Sequence, residues 1–539
     1  MSHPTRNVAK PAPGTSVGRA GAIMVVSLFL SRVLGLVREM VMSGKFGADI
    51  NTDTYTLAFS IPDLLFFLVA GGALSSAFIP VFTEYYSQDK EDDAWHIFSV
   101  VATIMASVVL AFIVVAWIFA EPLARLVAPG KTDPAEIAEI AFMSRIVLPA
   151  QFAFFVGGLM FGTLYARKVF AVPGLGPNVY NLGIIVGALF ISNVVTPSIA
   201  GMSWGALVGA IVGNLVIPAI VMHRMGSQYR PSFDVSHPGV QKVFKLMLPV
   251  ILGLSLPGVY DLISRYFGSF YAAGVNSWLK YANVLMQAPL GVFGQSLAIA
   301  VFPALSQFYA KGEMRAYQAQ LNATLRQVLF ITIPVSLLMA VASRPIVVAI
   351  FQHGQFTAAS TVPVAELLSI FSIGVWAWCL HPVLMRAFFA IQHSVTPIVL
   401  GTITTFLYLG TIQLLRPSME YRAIPAASSV SALVLVVMLL VAIQRRIGGI
   451  DFPGLAMTAG KSLLGGIVFA GVTYALLQWP TLANLQTNKL GSVAVLLAVC
   501  VPGIVLYYAI ATALRMPEAA TLDRAMARFR RNRTHPDSE

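Results

Sequence analysis

Charged side chains make up only 11% of this 539-residue chain and apolar ones 57%, too few polar groups to cover a soluble domain. Cysteine is nearly absent. Cys379 and Cys500 both lie in apolar stretches, which excludes a disulfide framework and a cysteine metal site. No Walker A loop, HExxH helix, nucleophile elbow or Cys/His ligand cluster occurs. The sequence therefore offers no catalytic residues, no metal ligands and no cofactor motif, and any active transport must draw on a gradient or on the substrate. The net charge of +12 comes without basic residues interleaved with aromatics in a soluble domain, so nucleic acid is not the partner it indicates.

What the chain has instead is long apolar runs, with a mean hydropathy of +0.78. Runs of about 18–30 residues suffice to span a bilayer with some tilt. They fall at 20–43, 55–83, 95–121, 138–165, 174–194, 201–223, 244–271, 276–307, 321–342, 361–390, 395–415, 424–444, 459–478 and 490–513. This predicts an all-α polytopic membrane protein with 14 transmembrane helices. Pro-Gly pairs at 129–130, 173–174, 238–239 and 453–454 sit at or just outside span ends. The basic N-terminal stretch resembles a signal n-region, but the apolar run behind it is too long for a signal core and reads as retained. With the N-terminus inside, Lys and Arg divide about 20 to 7 in favour of the cytoplasmic side, and the even count returns the C-terminus there. The expected location is thus a bacterial cytoplasmic membrane, with both termini cytoplasmic. Arg524, Arg528, Arg530, Arg531 and Arg533 crowd the tail, which suits attraction to anionic lipid.

Sliding the chain on itself by 223 or 224 residues reveals a repeat. Ala77-Phe78-Ile79-Pro80 lands on Ala300-Val301-Phe302-Pro303, Gly35 on Gly258, Gly130 on Gly354 and Pro173 on Pro397. Six helices per unit, an even number, make this a parallel repeat about the membrane normal. The organisation expected is a cytoplasmic segment 1–19, an N-lobe 20–227, a C-lobe 243–446, two extra helices in 457–515 and a basic tail 516–539. A cavity between the lobes would be lined mainly by the first helices of each unit.

That is where the charges inside apolar runs fall. Arg32, Arg38 and Glu39 lie in the first span, Asp53 and Asp63 at and within the second, and Asp261, Arg265 and Lys280 in the second repeat. Ionised groups at such depth cost at least a few kcal/mol and normally face a bundle interior or wet cavity. At about 100° per residue, Ser31, Gly35 and Arg38 share one stripe, with Arg32 and Glu39 beside it. Asp261 and Arg265, spaced i,i+4, can neutralise one another along one face. Two readings stay open: ion pairs that only hold the bundle together, or cations that bind an anionic substrate and acids that pair with them when it is absent. Arg145 and Glu366 read as lone charges near span ends. Gly35, Gly71, Gly72 and Gly291 are plausible bending points.

These residues also carry a family resemblance. Ser31-Arg32-Val33-Leu34-Gly35 with Arg38-Glu39, Thr52-Asp53, Gly72-Ala73-Leu74-Ser75-Ser76-Ala77-Phe78-Ile79-Pro80, Tyr180-Asn181, Ser277-Trp278 and Phe351-Gln352-His353-Gly354-Gln355-Phe356 resemble the MurJ (MviN) lipid II flippase family of the MOP exporter superfamily. The resemblance covers about residues 20–450. It implies a non-enzymatic carrier that moves undecaprenyl-pyrophosphate-linked peptidoglycan precursor between leaflets by alternating access. By it Arg32, Arg38, Asp53 and Ser277 become substrate-site residues; the pattern of charges inside the apolar runs adds Glu39, Arg265 and Lys280, with Ser31, Asp63 and Asp261 in support. It also implies a lipid-tail groove at the last two helices, and cell-wall synthesis proteins as candidate partners. The chain departs from the family pattern at Phe66, Phe67 and Val284, where other members carry basic residues, so Arg265 and Lys280 are expected to supply the missing positive charge. The alternatives are an exporter of another lipid-linked oligosaccharide or small molecule, and a non-transporting scaffold for wall synthesis.

Overall fold

The computed structural model describes residues 17–69, 73–254 and 256–520. Among them every regular element is helical, and helix occupies each of the fourteen apolar stretches. Gly71, Gly72, the first sixteen residues and the tail arginines lie outside the described residues. By length and apolarity, nine described helices can cross a membrane, or ten when Ala358–Ser372 and Val375–Ala390, bent by 49°, count as one span. One of the nine runs from Val395 to Ile447. At 1.5 Å per residue it would be about 80 Å long, far beyond the bilayer core. It is in fact two helices, Val395–Met419 and Ala423–Ile447, parted by a 3₁₀ turn in which Glu420 adopts φ 52°.

Local chemistry explains the breaks. The first helix, Val17–Phe46, ends where Gly47 takes φ 73°, a left-handed conformation that glycine adopts without steric cost. Asp49 then caps Ile50–Ala58, its carboxylate accepting from the amides of Asn51 and Thr52. Pro289 lacks an N–H, and directly after it the chain widens into a π-helical turn, Leu290–Gln295, before resuming as Ser296–Ala310. Gly291 lies in that turn, whereas Gly35 lies within an unbroken helix. The 49° bend falls at Gly374, where an added Cβ would come within 2.7 Å of Ser429 Cα.

The helices pack as two compact units. The first comprises the chain up to Arg38, Leu68–Ala120 and Phe142–Leu252. Its core includes Phe78, Phe82, Trp95 and Phe98 in mutual ring contact. The stretch after its last complete span is held on the helix Glu91–Ile118, where the Arg230 amide donates to Ser99 Oγ and the Tyr229 hydroxyl meets Thr103 Oγ1 at 3.1 Å. The second unit comprises Glu39–Phe67, Glu121–Ala141 and the chain from Gly253 onward. Segments 39–67 and 121–141 therefore pack with the second half of the chain, so the packing boundaries are not those of the sequence repeat. Phe452–Leu477 lies along Met314–Val341, and Tyr507 from the final helix donates to Phe330 O at 2.7 Å.

Candidate functional site

Within the second unit, three carboxylates from the early segment 39–67 each meet a partner from 265–280. Asp53 stands in the first turn of Ile50–Ala58 and is fully buried. Its Oδ2 accepts from the Gly274 amide at 2.8 Å, and its Oδ1 from the Ser277 amide at 2.7 Å and the Ser277 hydroxyl at 2.6 Å. The reason is visible in the local sequence. Helix Val275–Pro289 begins at Gly274, which has φ 97° and no side chain to cap the free amides. Asp53 supplies that cap from a distant segment, and its negative charge sits at the positive end of the helix dipole. Backbone contacts reinforce the join: the Tyr281 hydroxyl donates to Gly47 O, and the Gln355 amide to Gly44 O.

Next, the Lys280 ammonium lies 3.1 Å from Glu39 Oε2 and 5.3 Å from the centre of the Tyr55 ring. Glu39 is 1% exposed. Deeper along the chain, Arg265 Nη1 donates to Asp63 Oδ2 at 2.7 Å. The i,i+4 spacing allows Arg265 to pair with Asp261 along one helix face. The structure instead sends the long guanidinium side chain across to Asp63, and Asp261 accepts from Asn283 Nδ2 at 3.1 Å. Asn283 thus supplies Asp261 with a neutral donor.

The first unit holds the other cations. Arg38 Nη1 donates to Asn181 Oδ1 at 3.0 Å, while Asn181 Nδ2 donates to Pro177 O and Ser31 O. One turn earlier, Asn178 Nδ2 donates to Ser27 Oγ at 3.0 Å and Gly174 O at 2.9 Å. Ser31 and Arg38, which helical periodicity places on one stripe, thus share Asn181, and Ser27, one turn before Ser31, meets Asn178. Arg32 is exposed on the flank of this stripe.

Sequence reasoning did not single out Asn178, Asn181, Asn283 or Tyr281 as site residues. A signal existed for the first two, since polar amides at i,i+3 in an apolar helix require partners. Two supposedly lone charges also have company. Glu366 Oε1 accepts from Arg422 Nε at 2.5 Å, and Arg145 donates to Trp117 O while lying 5.6 Å from its ring. Among the described residues no group of three or more His, Cys, Asp or Glu could hold a metal.

Comparison with known proteins identifies the family. The model of the family described as lipid II flippase MurJ matches residues 42–496. A probable lipid II flippase MurJ of Vibrio cholerae is 30% identical over 401 residues, 71% of this chain and 75% of the relative. One of Bdellovibrio bacteriovorus is 27% identical over 519 residues, 94% and 96% of the two chains. Among solved structures, lipid II flippase MurJ in an inward closed conformation superposes with a TM-score of 0.77 at 23% identity, covering 91% of this chain and 98% of its own. With the family model matched across most of its length, this multi-pass membrane chain belongs to the lipid II flippase MurJ family.

Proposed function

We propose that the chain carries lipid II, the undecaprenyl-pyrophosphate-linked peptidoglycan precursor, across the cytoplasmic membrane by alternating access, without a catalytic step. The observation that carries this reading is the family match over 42–496. The charge chemistry supports it: a pyrophosphate in hydrocarbon needs neutralising, and arginine offers a permanently charged planar fork for two phosphate oxygens. Arg32 and Arg38 are the proposed phosphate ligands of the first helix. In the second unit, Lys280 and Arg265 are held by Glu39 and Asp63, carboxylates that an incoming phosphate can displace. Asp53 and Ser277 hold one closed arrangement, which must open and re-form in each cycle. The sequence repeat is proposed to define two six-helix lobes with two appended helices.

The direct test is leaflet-resolved accessibility of lipid II in cells depleted of this protein. Accumulation in the inner leaflet supports the proposal; an unchanged distribution removes it. Accumulation of a different lipid-linked sugar would instead favour the exporter alternative. Arg32→Ala and Arg38→Ala should each lower flipping about 10- to 100-fold, matching the loss of a charged hydrogen bond worth about 1.5–3 kcal/mol. Lysine should restore it only in part because it lacks the fork. Full complementation by both alanine variants would instead suit a scaffold.

For Arg265 the expectation is a drop of about tenfold in flipping for Arg265→Gln, roughly one charged contact, with Asp63→Asn having a smaller effect. If Arg265 only holds Asp63, the two variants should be equally impaired and the double variant no worse. Both termini are proposed to be cytoplasmic. Reporter fusions at Lys131 and after Glu539 should then report opposite sides, and same-side signals would mean a miscounted span.

A further inference from the structure

Helices Val395–Met419 and Ala423–Ile447 run side by side, and between the start of the first and the end of the second lies an open cavity of about 440 Å³. Its walls are Leu400, Val437, Met438 and Val441, and its rim carries Thr396, Arg445 and Arg446. Val437 and Val441 are exposed, as are the neighbouring Val395 and Val399, so the groove opens to the apolar surface of this unit. Arginines in the last turn of a helix offset its dipole without any ligand. Here, however, both guanidinia are exposed and neither has a hydrogen-bond or ion-pair partner among the described residues. They stand over an apolar slot facing the first turn of a helix whose N-cap, Ser394, makes no side-chain cap. Apolar walls and a rim of two unpaired cations match a molecule with a hydrocarbon chain and a phosphate.

We propose that this groove binds an anionic glycerophospholipid, with one acyl chain against Leu400, Val437, Met438 and Val441 and the phosphate against Arg445, Arg446 and the Thr396 hydroxyl. The site is independent of the residues assigned to lipid II, and its volume suits one acyl chain rather than a long polyprenyl tail. Two unscreened arginines near a membrane surface favour an anionic over a zwitterionic head group by about thirtyfold.

The test uses the full chain in detergent, with native mass spectrometry comparing phosphatidylglycerol and phosphatidylcholine of identical acyl chains. Wild type should hold phosphatidylglycerol about thirtyfold more tightly. Arg445→Gln/Arg446→Gln should reduce that preference to below about threefold without altering thermal unfolding. Val441→Trp, which fills the slot, should weaken both lipids. Should the tryptophan variant not fold, Leu400→Ala serves, with weaker retention of both lipids expected. As a control, Lys311→Gln/Arg315→Gln removes charge elsewhere and should leave the preference intact. An undiminished preference in the Arg445/Arg446 variant would overturn the proposal, as would equal loss in the control, which would mean diffuse attraction. Undecaprenyl phosphate outcompeting phosphatidylglycerol would assign the groove to an isoprenoid instead. Equal competition by inorganic phosphate would reduce it to an anion site, also against the proposal.

Discussion

Asp53→Ala is expected to abolish lipid II flipping while the protein still inserts, because it strips the cap from the helix Val275–Pro289, on which the proposed closed arrangement depends. The carboxylate is fully buried and satisfies two backbone amides and a hydroxyl. Alanine leaves the Gly274 and Ser277 amides without that acceptor at the start of Val275–Pro289. A buried unsatisfied donor costs about 1–3 kcal/mol, so two of them shift the balance between closed and open by about 3 kcal/mol or more, roughly a hundredfold. Hydrogen exchange at Gly274 and Ser277 should accelerate by about that factor. Ser277→Ala removes only the hydroxyl bond and should cost about 1 kcal/mol, five- to tenfold in flipping. Asp53→Asn should not rescue, because its NH₂ group turns one of the two acceptors into a donor facing an N–H. The double variant Asp53→Ala/Ser277→Ala should be no worse than Asp53→Ala alone, since the serine acts through the carboxylate. Wild-type flipping by Asp53→Ala would end the argument that this contact is part of the cycle.

Most of the fold was legible because hydropathy and chain punctuation are local. The Pro-Gly pair at 129–130 falls between helices, and those at 238–239 and 453–454 fall in the first turn of one. The boundaries between packing units were not legible. A sequence repeat records ancestry and register, whereas packing depends on which conformation brings segments 39–67 and 121–141 against the second half. The site divides in the same way. A charge inside an apolar run announces itself by its cost, so Glu39, Asp53, Asp63, Arg265 and Lys280 were identifiable one by one. Their partners were not, because helical periodicity fixes only the face of a residue's own helix. Arg265 shows the limit: i,i+4 spacing offered Asp261, and a neighbouring helix offered Asp63 at 2.7 Å. Asn181 and Asn283 were not singled out as site residues because an amide strains hydropathy far less than a charge, although each anchors a charged neighbour.

The contact between Glu39 and Lys280 can decide between the two readings that the sequence left open, a structural pair or a substrate-responsive one. Glu39 is 1% exposed at its side chain and Lys280 22%, so removing either partner strands a largely buried charge. Breaking such a pair typically costs about 3–5 kcal/mol, and Glu39→Gln or Lys280→Met alone should therefore lower both thermal stability and flipping, the latter by about a hundredfold or more. The informative variant is Glu39→Gln/Lys280→Met, which removes both charges together. A buried pair replaced by uncharged groups of similar volume often recovers full stability. If the pair only braces the bundle, flipping should recover along with the melting temperature. If Lys280 exchanges its carboxylate for a phosphate during transport, stability should return while flipping stays about tenfold or more below wild type, because the substrate loses a charged contact. The second outcome is expected, since the Lys280 ammonium lies beside the Tyr55 ring and a phosphate can displace the Glu39 carboxylate from it. The exchanged pair Glu39→Lys/Lys280→Glu should regain stability in part but no transport, because the cation would then sit on the first helix and away from Tyr55. Full recovery of flipping by the uncharged double variant would assign Glu39 and Lys280 to architecture alone.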